Sequence, residues 1–258
     1  MNVAIIGPGL IGHSIALAIR GTEPGARVIE IDRGAPLEAA RGADLIVLAA
    51  PVHVILDLIQ HHADVLQSAV TLDTGSTKRA ILLAARLAGL NRFVGGHPMA
   101  GAATSGPAAA RADLFRGRPW FLVPHGAAPE ALSAAQSFVA RLGAEPVILE
   151  DDGAEHDRVM AAVSHLPQAV ASVLMTVSAT AAGPRLGWAG SGLRDTTRLA
   201  ASDAAVWHSI FASNREELRP LLLEMSATLR HLADELDDAN AVRRLFDQAR
   251  QARATLEA

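Results

Sequence analysis

Three short polar stretches carry most of the chemistry open to this chain. The first, Gly7-Pro8-Gly9-Leu10-Ile11-Gly12, has the G-x-G-x-x-G spacing, follows an apolar run and opens a helical pattern. Glycines so placed allow a tight turn and let backbone approach a ligand closely, so a pyrophosphate can sit on the helix N-terminus. Residues 7 to 12, with Leu10 and Ile11 between the glycines, therefore read as cofactor-binding. Asp32 ends a second apolar run about 20 residues beyond Gly12, the distance expected of an acid that meets the ribose hydroxyls of a dinucleotide. A carboxylate there repels a 2′-phosphate and favours NAD, while Arg33 beside it leaves NADP open.

The second stretch, Asp73-Thr74-Gly75-Ser76-Thr77-Lys78, lies between a strand pattern and a helical one. Ser76 and Thr77 have the chemistry of helix caps. Lys78 is the single lysine beside 22 arginines, which is either chance or the mark of a place needing a compact ammonium. The third stretch, GGHPMAGAATSG (95–106), sets His97 among small residues. Its glycines are expected to admit a cofactor or substrate. A neutral imidazole there either takes a proton from a carbinol as hydride leaves, or only hydrogen-bonds its own loop.

Two further stretches lie in the second half. HDRVMAAVSHLPQAVA (156–171) puts His156, His165 and Gln168 in an apolar helix, with 165 and 168 on one face. Polar groups so placed are either satisfied core residues or parts of a site, and Pro167 should bend the helix. SGLRDTTRLAASDAAVWHS (191–209) spaces Arg194 and Arg198 at i, i+4 and offers planar guanidinium groups to a carboxylate. Trp207 either walls a pocket or fills core. No metal-ligand spacing is present, and no metal site is expected.

The elements that must position these groups are legible from hydrophobic patterning. Apolar runs at 3–7, 27–31, 44–50, 70–73, 92–96, 120–124 and 146–150 read as strands, with helical stretches at 10–20, 52–67, 77–88 and 130–142. That alternation predicts a doubly wound, mostly parallel sheet over 1–151, an α/β dinucleotide-binding domain. In such sheets ligands gather at the carboxyl ends of the strands, so the Ser76 and His97 loops should converge near the nicotinamide. From 154 onward no strand pattern appears. The reading is an all-helical domain over 152–258, broken near 183–184, 187–192 and Pro220, with a last helix or helix pair over 221–257.

Composition narrows the partners. Half the 258 residues are hydrophobic, enough for a sizeable core, and the formal net charge of −4 is spread along the chain. That excludes the basic face wanted by nucleic acid or a membrane surface. There is no cysteine, hence no disulfide or thiolate metal site. The start of the chain lacks the features of a signal peptide, and the apolar run 169–183 is shorter than the roughly 20 residues of a membrane span. A cytoplasmic protein with a buried or subunit-interface helix is expected.

With GPGLIG, DTGSTK, GGHPMAG, the HD…SHLP helix and LRDTTRLAASDAAVW in this order, the chain resembles the prephenate/arogenate (cyclohexadienyl) dehydrogenase family nearly end to end. The resemblance implies an NAD(P)-dependent oxidative decarboxylation of tyrosine biosynthesis, in which aromatisation of the ring drives the reaction. It implies a Rossmann-type domain followed by a helical domain that forms a homodimer. It further implies that His97 is the base and that Ser76 orients the ring hydroxyl, His97 and nicotinamide. Arg198 would pair with a substrate carboxylate, with Arg194 nearby, while His165 and Trp207 shape the pocket.

One departure stands out: many members read SHLPH where this chain reads SHLPQ. Gln168 carries no positive charge, which is expected to favour the zwitterionic end of arogenate over the keto acid of prephenate. The chain also stops with the helical domain, so no fused mutase or regulatory domain is expected. The alternatives fare worse. A β-hydroxyacid dehydrogenase would need a lysine in the helical half, and a pyrroline-carboxylate reductase leaves GGHPMAG and the arginine pair unexplained. A non-catalytic dinucleotide sensor would have lost His97 or Ser76.

Overall fold

The computed structural model describes residues 1–101 and 106–256; residues 102–105 of the histidine-bearing stretch lie outside the described residues. All seven apolar runs form strands: β1 (Asn2–Ile6), β2 (Arg27–Ile31), β3 (Leu45–Leu48), β4 (Val70–Asp73), β5 (Phe93–Pro98), β6 (Pro119–Val123) and β7 (Glu145–Ile148). They make one sheet in the order β2-β1-β3-β4-β5-β6-β7. Every neighbouring pair is parallel except β5 and β6, where His97 lies opposite Phe121. β3 and β4 are buried throughout, which is why they read as unbroken apolar runs rather than as alternation.

The helices of this half are α1 (Leu10–Thr22), α2 (Val52–His61), α3 (Ala63–Leu66), α4 (Arg79–Leu87) and α5 (Pro129–Arg141). They bury two clusters, one on each face of the sheet. Ile15, Ile19, Val47, Phe115 and Trp120 lie in one, and Ile46, Leu48, Ile55, Ile59 and Ile81 in the other. Strand order reverses between β1 and β3, and the glycine turn at 7–12 sits at the carboxyl end of that crevice, where an open α/β sheet binds its ligand.

The second half is helical among the described residues: α6 (Ala154–Met160), a π-turn (Ala161–His165), α7 (Leu166–Ala182), α8 (Ser191–Thr196), α9 (Ala204–Ser213), α10 (Arg215–Asp234) and α11 (Ala239–Ala254). Three expectations need correction. The helix expected over 52–67 is two helices, parted at His62. Pro220 does not break its helix: α10 runs through it, giving up only the bond to the Glu216 carbonyl, and the break falls at Asn214, whose side chain is held inward. The expected helical pairing of Arg194 with Arg198 is interrupted as well, because α8 ends at Thr196 and a 3-10 turn, Arg198–Ala201, follows.

The expected bend at Pro167 takes the form of the π-turn, which widens the helix just before the proline and ends on His165. Helical structure runs on from Ala154 to Trp188, longer than the apolar run alone suggested and apolar enough by composition to cross a membrane. Only 28% of its most apolar window is buried within the chain. Val163, Val173 and Val177 stand exposed along it.

The two halves meet at the N-terminus of α4. Asp157 of α6 accepts from the backbone N–H of Lys78 (2.7 Å) and of Arg79 (3.0 Å). Arg79 pairs with Glu216 at 3.1 Å and Glu217 at 3.0 Å, and Thr77 meets the Ser213 hydroxyl at 2.9 Å. The cap expected of Ser76 and Thr77 thus comes from another helix altogether. A carboxylate reaches two unpaired donors at once, where a hydroxyl reaches one.

Candidate active site

The site begins with a buried ion pair. Lys78, wholly enclosed, donates its ammonium to the Asp73 carboxylate and, at 2.7 Å, to the carbonyl of Gly96. Asp73 in turn accepts from the N–H of Gly96 (2.9 Å) and of Gly75 (2.7 Å). β4 and β5 pair by backbone only as far as Leu72 and Val94. Beyond that point these two side chains take over both polar groups of Gly96 and fix the residue before His97. A Cβ on Gly96 would lie 2.3 Å from the carbonyl oxygen of Asp73, and one on Gly95 would press on Leu82 and Lys78. The glycines beside His97 therefore admit the neighbouring strand and the lysine, not a ligand as the sequence suggested.

His97 itself is half-buried at the carboxyl end of β5, and its partners fix its protonation. Asp157 Oδ1 lies 2.8 Å from His156 Nδ1, and His156 Nε2 lies 2.9 Å from His97 Nδ1. A carboxylate only accepts, so His156 carries its hydrogen on Nδ1 and accepts at Nε2. His97 must then donate from Nδ1, which leaves its Nε2 with a lone pair that is free among the described residues. Burial holds His97 well below the usual histidine range, and the neighbouring His156, Lys78 and His165 lower it further. It is a neutral base with a defined face.

A second branch leaves the same helix. The Asn214 amide donates to the Asp157 carbonyl at 2.7 Å and to His165 Nδ1 at 3.0 Å. His165 is therefore protonated on Nε2, and that buried N–H has no partner among the described residues. Burial pulls its pKa down to about 4, with Asp157 opposing and His156 adding to the shift. The Trp207 ring stands edge-on to it at 6.1 Å and packs on Phe211 at 5.5 Å. His97, His165 and Trp207 are thus joined through His156, which the sequence offered as core or site, and through Asp157 and Asn214, whose functional weight it did not disclose. The only sequence signal for them was the HD pair at the head of an apolar helix.

Ser76 lies partly exposed on the loop between Asp73 and Lys78, its hydroxyl free among the described residues. Gln168 is almost wholly buried. Its N–H groups go to the Leu199 carbonyl (2.8 Å) and the Ser172 hydroxyl (3.3 Å), and its oxygen accepts from Ser202 at 3.2 Å. It thereby ties α7 to the turn that carries Arg198. Arg194 and Arg198 are both exposed.

The glycine turn fits a dinucleotide. Gly7 has φ +93° and a Cβ there would strike the Ala49 carbonyl oxygen at 2.5 Å, while one on Gly12 would strike the Gly7 carbonyl oxygen at 2.2 Å. A Cβ on Gly9 would meet nothing within 4 Å, and no side chain among the described residues caps α1, so the first-turn N–H groups of Leu10, Ile11 and Gly12 are left for a ligand there. Two glycines serve the turn; the third serves something from outside it. Asp32 and Arg33 stand exposed past the end of β2, with the Arg33 N–H donated to Asp32 Oδ1 at 2.7 Å.

An uncrowded glycine turn at the switch point, with a neutral imidazole on the same rim of the sheet, fits a nucleotide-dependent oxidoreductase of the Rossmann-plus-helical type. The family models agree: "Prephenate dehydrogenase, nucleotide-binding domain" matches residues 20–148 and "Prephenate dehydrogenase, dimerization domain" matches 152–249. The chain belongs to the prephenate dehydrogenase family, and it is an enzyme. It is 33% identical to the prephenate dehydrogenase of Lactococcus lactis subsp. cremoris, over 99% of this chain and 77% of that protein. It is similar to the crystal structure of Synechocystis arogenate dehydrogenase, with a TM-score of 0.78 and 27% identity over 99% of this chain and 100% of the other. Prephenate dehydrogenase from A. aeolicus, solved in complex with hydroxyphenyl propionate and NAD+, shares the fold with a TM-score of 0.87 and 24% identity, over 100% and 97% of the two chains.

Proposed function

We propose that this chain oxidatively decarboxylates prephenate and arogenate with NAD, giving 4-hydroxyphenylpyruvate and tyrosine, and that residues 1–151 bind the cofactor while 152–258 complete the substrate site and dimerise. The observation that carries this is the lone pair of His97 Nε2, left free by its neighbours on the sheet rim that also holds the glycine turn. Residues 7–12 would hold NAD, with Asp32 toward its ribose, and the cofactor would supply the hydride acceptor. His97 Nε2 takes the proton of the ring hydroxyl as hydride leaves the carbinol carbon. The ring carboxylate departs as carbon dioxide, its bonding electrons close the aromatic ring, and the phenolate oxygen so formed takes the proton back from His97.

Ser76, with its free hydroxyl, orients the ring hydroxyl toward His97. The unpartnered N–H of His165 supplies a donor to the substrate, and Trp207 walls its ring. Arg198 pairs with a carboxylate, supported by Arg194. Gln168 bears on the substrate through the Arg198 turn that it holds, and it adds no positive charge there, which supports the acceptance of arogenate. Reduced-cofactor formation with each substrate, and with NAD and NADP, tests the reading. Turnover with NAD on either substrate is expected; silence in all four mixtures from protein that binds NAD would end it.

A homodimer through the helical half is supported by the dimerization-domain match and by the exposed valines along α7. A monomer by light scattering at micromolar concentration would contradict it. The cytoplasm is the compartment that suits this chemistry.

A further inference from the structure

Asp157 and His156 belong to the helical half, yet their side chains reach the base on the sheet. We infer that this pair acts as a relay of positioning residues, which sets the tautomer of His97 and stabilises it once it has taken the proton. The inference rests on His97 being the base.

The argument is one of hydrogen-bond direction. Asp157 Oδ1 can only accept, so its contact with His156 Nδ1 at 2.8 Å decides where His156 keeps its hydrogen. The 2.9 Å contact from His156 Nε2 then decides the same for His97. Reversing the first bond would reverse the second and put a hydrogen on His97 Nε2, the atom that must receive the substrate proton. Asp157 is itself held firmly, because its oxygens also accept from the Lys78 and Arg79 N–H groups. Those contacts pin the carboxylate to the loop that carries Ser76.

The relay also answers a problem of charge. When His97 takes a proton it becomes a half-buried cation, with the Lys78 ammonium already close by. Asp73 neutralises Lys78. Asp157, reached through His156, is the carboxylate connected to His97 by hydrogen bonds, and the positive charge of the protonated base is shared along that chain. The other imidazole facing the group, His165, is neutral and tied to Asn214. Packing adds alignment: the His97 and His156 rings stand edge to face at 5.1 Å, and Phe121 closes on both.

The test uses the full-length enzyme with NAD and prephenate. Asp157→Asn keeps the volume and, with its oxygen in the place of Oδ1, the bonds from His156 and from the Lys78 N–H, but it removes the negative charge that balances a protonated His97 and turns an N–H toward the Arg79 N–H. It should lower kcat about 10²–10⁴-fold, the range for a disarmed base, with prephenate KM and NAD Kd within about twofold. His156→Leu removes the acceptor and should cost about 10²-fold in kcat. His156→Gln offers a carbonyl at nearly the same place and should recover most of that loss. Native kcat in Asp157→Asn, or equal kcat in the Gln and Leu variants, would overturn the relay. Should the Leu variant fail to fold, Asp157→Asn decides alone. His97→Asn, run in parallel, separates the two readings. Native turnover there removes the base itself, whereas loss there with native turnover in Asp157→Asn removes only the relay.

Discussion

Lys78 shows what a single residue contributes to this site. Its ammonium is wholly buried, and burial lowers its pKa while Asp73 resists the shift. Removing it would leave the Asp73 carboxylate enclosed without its counter-charge. Lys78→Met should therefore cost about 3–5 kcal/mol of stability by denaturant unfolding, whereas Asp73→Asn combined with Lys78→Met should recover part of it. A single variant as stable as the native chain would show that the pair does not organise the sheet rim. The importance of Lys78 was legible as a lone lysine among arginines, but its partner was not. Sequence shows that Gly95 and Gly96 must be small without showing what approaches them, and here it is Asp73 and Lys78 rather than a ligand.

At the scale of elements, the turn between β1 and α1 separates two uses of glycine. Gly12→Ala would drive a methyl to 2.2 Å from the Gly7 carbonyl oxygen, so it should destabilise the fold. Gly9→Ala meets nothing within 4 Å and starts from φ −78°, so stability should hold. NAD affinity should nonetheless fall by at least about 1.4 kcal/mol, tenfold in Kd, because the methyl fills the space of the pyrophosphate. Unchanged NAD affinity in Gly9→Ala, measured by calorimetry, would move the cofactor elsewhere. All seven strands were legible as short apolar runs bounded by polar turns, most plainly β3 and β4, which are buried throughout, whereas β7 is exposed along its length. Helix ends were less so. The cap of α4 comes from Asp157, 79 residues beyond Lys78 in the chain, and the break at Asn214 exists because its side chain bonds Asp157 and His165. No local pattern announces a partner supplied by another element.

For the whole molecule, three histidines, two buried and one half-buried, tie stability to pH. His97, His156 and His165 are all held below the ordinary value of 6.5, chiefly by burial. The unfolded chain therefore binds more protons than the native one below pH 6.5, and stability falls as pH falls. For His165 the loss accumulates between 6.5 and about 4 and amounts to about 3 kcal/mol, with the other two adding in the same direction. Denaturant unfolding at pH 5 and pH 7 should show the native protein weaker at pH 5 and His165→Gln less sensitive to the change. Equal native stability at both would mean that these groups are hydrated and charged. The bond from His97 to His156 joins the halves of the molecule, which is why the division near 151 could be read from patterning while the site across it could not.

The most direct measurement is the rate of NAD reduction by His97→Asn with prephenate, beside its affinity for NAD. A neutral base with its lone pair aimed at the substrate predicts NAD binding as in the native enzyme and kcat lower by about 10²–10⁴-fold. Near-native kcat in that variant would contradict the account, because the proton would then leave by a route that does not pass through His97.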